Sequence, residues 1–310
     1  MLFGSFAALA LALFAAPGLN AERIDTDVHQ LRAFTLDLPF IDEGFQMRHY
    51  DFNGDAVVNT LSHIRLTPDQ PSRMGSVWST LPLPDDYWKV DFKFKVGGKG
   101  GYLYGDGMGM FVTKERAQAG PVFGNRDYFT GLGVLFDTYP NSKHDFSTPF
   151  VMGMIGDGKT PYDGAHDGDA NRRGMCEAYF RNLKEGSRCS VTYLKGIAIS
   201  VQLQLQPKDT WINCFVIPNV TLPEHSYLGF TALTGDISDN HDILSVRAET
   251  LRAEALKDFN FNFDSMIAAS TPSSHSSALG FVFKLLLVAG ACGGLFVAYK
   301  KYTAESARRF

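Results

Sequence analysis

Three oxygen donors stand at alternate positions in the middle of the chain, within Gly131–Asn141, GLGVLFDTYPN. They are the Asp137 carboxylate, the Tyr139 main-chain carbonyl and the Asn141 side-chain amide oxygen. Pro140 fixes its own φ and has no N–H, so the apolar run Leu132–Phe136 must leave its ladder and turn here. The turn draws the three oxygens together. Hard oxygens on a short rigid loop suit Ca²⁺, which takes about six to eight of them, better than Mg²⁺, which keeps its waters. An ordinary strand-to-turn with an Asx-type residue on each side fits the same stretch.

Other carboxylates crowd three loops. Asp106 lies between Gly105 and Gly107, ahead of an apolar run. Two glycines let a ligand reach the carboxylate without side-chain crowding, although a polar turn needs the same residues. Asp163, Asp167, Asp169 and Asn171 share the Gly-rich stretch 162–173, too long for a simple hairpin turn. Asp167-x-Asp169-x-Asn171 opens like an EF-hand, but the sixth place holds Arg172 where Gly is required and the twelfth holds Ala178 where Glu is required. That motif is excluded, and one acid of this loop remains available to complete the site begun by Asp137. Gly235-Asp236-Ile237 starts a third polar loop running to Asp242, in which Asp239, Asn240, His241 and Asp242 are ligands or, more commonly, turn caps. Catalytic signals are missing: there is no GxSxG, HExxH or P-loop, and no strand carries the facing carboxylate pair of a glycosidase. A binding protein, not an enzyme, is expected.

The elements that must position these loops are strands. The chain has 310 residues, 45% of them hydrophobic, enough for a core without staples. Its net charge of −4 argues against nucleic acid as a main partner. Trp88, Val90, Phe92, Phe94 and Val96 alternate with polar residues, as do Ile197, Ile199, Val201, Leu203 and Leu205, the pattern of strands with one wet face. Gly107–Lys114, Leu132–Phe136 and Phe150–Ile155 are unbroken apolar runs, which predicts cover on both faces. With Gly75–Leu81, Tyr227–Thr234 and Ile243–Glu249 they predict an all-β sandwich. No repeat and no heptad pattern is visible.

Both ends are apolar. Leu2–Pro17 reads as the core of a secretory signal, with a cut after Ala21, so 1–21 is expected to be removed. Ala278–Tyr299, apolar apart from Lys284, is long enough to span a bilayer, and Lys300, Lys301, Arg308 and Arg309 after it place the tail in the cytosol. The expected layout is a type I membrane protein: a lumenal domain over 22–252, a stalk over 253–277, the span over 278–299 and a tail over 300–310. Gly290-x-x-x-Gly294 in the span would allow close helix approach, a basis for a homo-oligomer. Cys176, Cys189 and Cys214 are lumenal, an odd number, and sequence alone does not choose the pair. Asn219-Val220-Thr221 is a glycosylation sequon.

Six segments together resemble the animal L-type (leguminous-type) lectins of the early secretory pathway. They are GSVWS at Gly75–Ser79, GDGMGMFVTKER at Gly105–Arg116, GPVFGNRDYFTGLGVLFDTYPN at Gly120–Asn141, YDGAHDG at Tyr162–Gly168, MCEAYFRN at Met175–Asn182 and TGDISDNHDI at Thr234–Ile243. The short stalk, single span and short tail look most like the vesicular integral-membrane lectin subgroup. The resemblance implies a jelly-roll (concanavalin-like) β-sandwich that binds high-mannose N-glycans with Ca²⁺ and acts as a glycoprotein cargo receptor in ER–Golgi transport or quality control. It implies Asp137, Tyr139, Asn141 and Asp167 as metal ligands, and Ser76, Asp106, Asn141, Gly235, Asp236 and Ile237 as sugar contacts. It also implies a Cys176–Cys214 disulfide, leaving Cys189 as a buried thiol. One departure stands out. Gly164 occupies the place of a family His that contacts mannose, with His166 two residues on as a substitute contact. An adaptor that binds cargo by protein contacts is therefore the alternative function. The tail ends Arg308-Arg309-Phe310, and its aromatic terminus resembles an export signal for coat-protein contact.

Overall fold

Along Tyr87–Gly97 every second residue is buried and its neighbours are half-exposed, so one face of this strand meets the core and the other meets solvent. The computed structural model describes residues 29–143 and 146–251. Among these residues the strands run β1 (His29–Gln30), β2 (Tyr50–Gly54), β3 (Val57–Asn59), β4 (His63–Thr67), β5 (Met74–Pro82), β6 (Tyr87–Gly97), β7 (Gly107–Thr113), β8 (Ala119–Gly120) and β9 (Gly124–Asn125). They continue with β10 (Thr130–Asp137), β11 (Phe150–Asp157), β12 (Arg172–Glu177), β13 (Ser187–Leu194), β14 (Ala198–Gln204), β15 (Ile212–Pro218), β16 (Tyr227–Leu233) and β17 (Asn240–Thr250). One sheet has the order β15-β14-β13-β6-β17-β4-β3, with β1 on β17, and the other the order β12-β11-β10-β7-β16-β5-β2. This is the all-β jelly-roll expected from the sequence.

Between the sheets lies an aromatic core. Phe92 and Phe94 of β6 meet Phe230 of β16 at 5.0 Å and Phe136 of β10 at 4.8 Å, edge to face. The seven-stranded sheet buries its other face too. Trp78, Phe111, Phe129, Leu135, Phe150 and Met152 point away from the sandwich and are roofed by Val122 and Phe123. This second, outward cluster is why β7 and β10 read as unbroken apolar runs: all seven residues of β7 are buried.

The disulfide joins Cys176 of β12 to Cys214 of β15, the adjacent edge strands of the two sheets, and Cys189 is a buried free thiol. Closing a loop with a sequence separation of 38 stabilises the fold by about 4 kcal/mol on the chain-entropy estimate. One expectation is corrected. Asn240–Asp242 belongs to strand β17 rather than to a ligand loop, because the His241 ring bonds Thr67 Oγ1 at 2.7 Å and Asp242 takes both Arg65 nitrogens at 2.8 and 2.9 Å. The signal (1–21), stalk (253–277), span (278–299) and tail (300–310) lie outside the described residues, among which no helix is long and apolar enough to cross a membrane.

Candidate metal and carbohydrate site

Pairing of β7 with β10 sets Gly107 opposite Asp137, so Asp106, immediately before β7, and Asp137, the last residue of β10, arrive at one end of the seven-stranded sheet. Thr138 fastens the two chains. Its N–H and its hydroxyl both donate to the Asp106 carbonyl, at 3.0 and 2.9 Å. Here a cleft of about 240 Å³ opens, walled by Asp106, Asp137, Asn141, Phe123, Tyr162 and Gly164.

Asp167 brings in the second loop. It sits in the left-handed region (φ 51°) at the end of the 3₁₀ turn Gly164–His166. Its Oδ1 accepts the Asn141 N–H at 2.9 Å and Asn141 Nδ2 at 2.7 Å, while its Oδ2 accepts the Ser142 N–H at 3.1 Å. With Nδ2 committed to Asp167, Asn141 presents its amide oxygen as an acceptor. The other acids of the loop face elsewhere: Asp163 holds His166, and Asp169 pairs with Arg172 at 3.1 Å.

Asp137 is 2% exposed. Its Oδ1 accepts the Tyr139 N–H at 2.9 Å, and its Oδ2 is buried without a partner. Burial pushes its carboxyl well above the usual range, the Tyr139 N–H opposes this, and the Asp167 and Asp106 charges add to it. Asp106 is pushed up to about 6 by burial and by Asp236, against the pull of the Gly235 N–H. Carboxylates sharing one cleft, one of them with an orphaned buried oxygen, are a donor set for a hard divalent cation. Of the expected donors, Asp137 and Asn141 line the cleft, and Asp167 is tied to Asn141.

The third loop closes over Asp106. A Cβ on Gly235 would lie 3.1 Å from Asp106 Oδ2, a tight contact, so a larger residue here would press on the carboxylate. Ile237 and Tyr139 meet over Gly105, where a Cβ would be 3.4 and 3.0 Å from them. Asp236 is exposed beside this loop.

The sequence candidates thus separate. Asp106, Asp137, Tyr139, Asn141, Asp167, Gly235, Asp236 and Ile237 gather at one sheet end. Ser76 is buried on the outward face of β5 between Asn53 and Thr231 and is not among the cleft walls, as Tyr139, Asp167 and Gly235–Ile237 are not. His166 is also outside them: its side chain is 65% exposed and its Nδ1 is 2.9 Å from Asp163 Oδ1, which captures the ring and raises its pKa. Asn219 is exposed just past β15, open to a glycan.

Sequence reasoning missed Asp127, Phe123 and Tyr162. Asp127 Oδ1 accepts the N–H groups of Tyr128 and Tyr162, both at 2.8 Å, tying the roof of the outward cluster to the Asp167 loop. The Tyr162 ring then meets Phe123 edge to face at 5.9 Å. The only local signal is an aspartate beside a tyrosine in each loop, and nothing in the sequence joins the two.

Residues 27–257 match the model of the legume-like lectin family. The VIP36-like protein of Mus musculus is 33% identical over 97% of this chain and 91% of its own length. The human vesicular integral-membrane protein VIP36 is 37% identical over 74% of this chain and 65% of its own. Among solved structures, the VIP36 exoplasmic/lumenal domain in its Ca²⁺/Man-bound form superposes with a TM-score of 0.70 at 37% identity, covering 73% of this chain and 93% of that domain. The carbohydrate recognition domain of Emp47p, at 19% identity and a TM-score of 0.60, shares the fold.

Proposed function

The chain belongs to the legume-like lectin family, a family of carbohydrate-binding and not enzymatic proteins, and we propose that it is a Ca²⁺-dependent receptor for high-mannose N-glycans on glycoprotein cargo. The observation that carries this is the buried, unpartnered Asp137 Oδ2 in a cleft shared with Asp106 and Asn141. VIP36 has been solved with Ca²⁺ and mannose together, which supports the same pairing of ion and sugar in this chain.

When bound, the ion supplies the positive charge that lets Asp137 and Asp167 stay ionised side by side. Asn141 would hold the ion through a lone pair of its side-chain oxygen. Its Nδ2 has two hydrogens, one on Asp167 and one to give to a mannose hydroxyl. Asp106 accepts hydroxyl hydrogens in charge-assisted bonds, the stronger kind. The Gly235 and Asp236 segment adds polar contacts, Ile237 offers an apolar edge to the ring, and Ser76 extends the surface along β5. Single-sugar binding of this sort is weak, and several lectins on one membrane meeting several glycans raise it.

The lumenal placement is supported by VIP36, whose matched domain is described as exoplasmic/lumenal. Type I topology in ER–Golgi membranes, coat contact through the tail, self-association through the span and a glycan on Asn219 belong to the same proposal. A glycan array with the chain in Ca²⁺ and in chelator tests it: mannose-terminated glycans bind only in Ca²⁺. Binding that ignores the chelator contradicts it.

One observation favours a second reading. Gly164 lines the cleft and brings no ring to it, while His166 is held by Asp163. A cleft with less sugar chemistry suits an adaptor that holds cargo by protein contacts. Asp106→Asn separates the two, since cargo association that survives it is protein to protein.

A further inference from the structure

Behind the carbohydrate loops lies an ion pair that the cation-binding reading does not use. Asp239 is fully buried, and the Arg181 side chain is 9% exposed. Arg181 Nε and Nη2 each donate to one Asp239 oxygen at 2.8 Å, a bidentate pair. The same Nη2 donates to the Gly100 carbonyl at 2.8 Å, and the guanidinium carbon stands 3.8 Å from the Tyr104 ring centroid. One side chain therefore grips Gly100 and Tyr104, ahead of Asp106, and Asp239, just after Gly235–Ile237.

The surrounding bonds run the same way. Arg181 bridges Val96 at the end of β6, and Asn182 takes the Gly98 N–H on its Oδ1 at 3.2 Å. Asp69 accepts the Lys99 N–H at 2.9 Å and the Ser238 hydroxyl at 2.7 Å, and its own N–H donates to Asn240 Oδ1 at 2.9 Å. Stretches 97–105 and 234–239 are thus tied to each other and to the sheet by contacts that involve none of Asp137, Tyr139, Asn141 or Asp167.

We propose that Arg181 is a positioning residue for sugar recognition: paired with Asp239, it holds Asp106 and Gly235–Ile237 in binding geometry whether or not a cation is bound. The carbohydrate site is then made of two halves with separate holders. The ion completes the Asn141–Asp167 half, and the guanidinium, together with Thr138 on the Asp106 carbonyl, holds the Asp106–Ile237 half. The planar fork matters, because it serves two carboxylate oxygens, a carbonyl and a ring face at once, and an ammonium cannot. This rests on the carbohydrate reading above.

The test uses the full chain in detergent, as wild type, Arg181→Lys and Asp239→Asn. Three quantities are measured: Ca²⁺ affinity without sugar, mannose affinity at saturating Ca²⁺, and hydrogen exchange in chelator. The expected result is a mannose affinity lowered about tenfold in Arg181→Lys, Ca²⁺ affinity within about twofold of wild type, and faster amide exchange confined to 97–104 and 234–238. A folded Arg181→Lys that binds mannose as wild type does overturns the proposal. So does a joint fall of Ca²⁺ and mannose affinity, which marks general loosening. If wild type binds no mannose, the carbohydrate reading fails by itself. The exchange data still decide the clasp, because unchanged exchange at 97–104 and 234–238 removes it.

Discussion

On either side of the Gly235–Ile237 loop, buried acids are balanced in opposite ways. Asp239, past its end, has a guanidinium on both oxygens and stays with the protein's own charges. Burial still holds its carboxyl above the usual range, and Arg181 pulls it back. Asp137, in the cleft by its start, keeps one buried oxygen that has no protein partner. The first cluster is complete as folded. The second is complete only with a cation. The difference teaches that one surface can combine a part completed by the protein's own charges with a part that answers to calcium.

The hardest blow to this division falls on the half completed by the protein's own charges. Arg181→Met strands a buried carboxylate, and breaking such a pair from one side costs about 3–5 kcal/mol. Urea unfolding measures it, and the loss is the same in Ca²⁺ and in chelator. A loss that vanishes in Ca²⁺ would show that the two clusters are one.

Next comes the half that answers to calcium. Calcium at about a hundred times its dissociation constant adds about 2.7 kcal/mol to wild type and nothing to Asp137→Asn. In chelator the order changes. Asp137→Asn keeps an acceptor for the Tyr139 N–H and removes a carboxyl whose ionisation burial penalises, so it is at least as stable as wild type. A variant that is less stable in chelator means Asp137 serves the fold and not an ion.

Titration distinguishes the clusters more gently. In chelator, the folded protein holds protons on Asp106, at about 6 against an ordinary 3.8, and on Asp137 more tightly than the unfolded chain does. A group that binds its proton better when folded favours the fold at low pH, so stability declines as pH rises from 3.8 through about 6. Solvent screening at the partly exposed Asp106 limits its share to on the order of 1 kcal/mol. Saturating Ca²⁺ reverses the slope, because protons then compete with the ion. Thermal melts at pH 4 to 7, with and without chelator, read both signs.

How much of this was legible in the sequence follows from how local each feature is. The strand that ends at Asp137 and the turn at Pro140 come from adjacent residues, and alternation along Trp88–Val96 gives β6 directly. The unbroken runs of β7 and β10 announced cover on both faces but not what supplied it, since Val122 and Phe123 come from another segment. Arg181 and Asp239 are 58 residues apart, and SDNHD reads as turn caps, so the clasp had no local signature. The cysteine pair likewise joins edge strands of different sheets, which spacing cannot reveal. In the long loop, composition offered four equivalent polar residues, and only the fold distinguishes Asp167, turned to Asn141, from Asp163 and Asp169, spent on His166 and Arg172.

The smallest effects concern the two residues that set the sugar chemistry of the calcium half. A Cβ on Gly164 would stand 3.7 Å from the Tyr162 ring, ordinary contact distance, so the first atom of a side chain is accommodated without moving backbone. Gly164→His adds an imidazole at a position that lines the cleft together with Asp106 and Asn141. One added hydrogen bond is worth about 1 kcal/mol, so mannose affinity rises about fivefold at neutral pH. His166→Ala removes an exposed ring already held by Asp163, and changes mannose affinity by less than about 0.5 kcal/mol. Calorimetry with mannose at saturating Ca²⁺ compares them. If His166→Ala is the damaging one, His166 leaves Asp163 for the ligand and the loop rearranges on binding. If Gly164→His gains nothing while Asp106→Asn still abolishes binding, Asp106 and Asn141 suffice for the sugar, and the glycine costs the site no affinity.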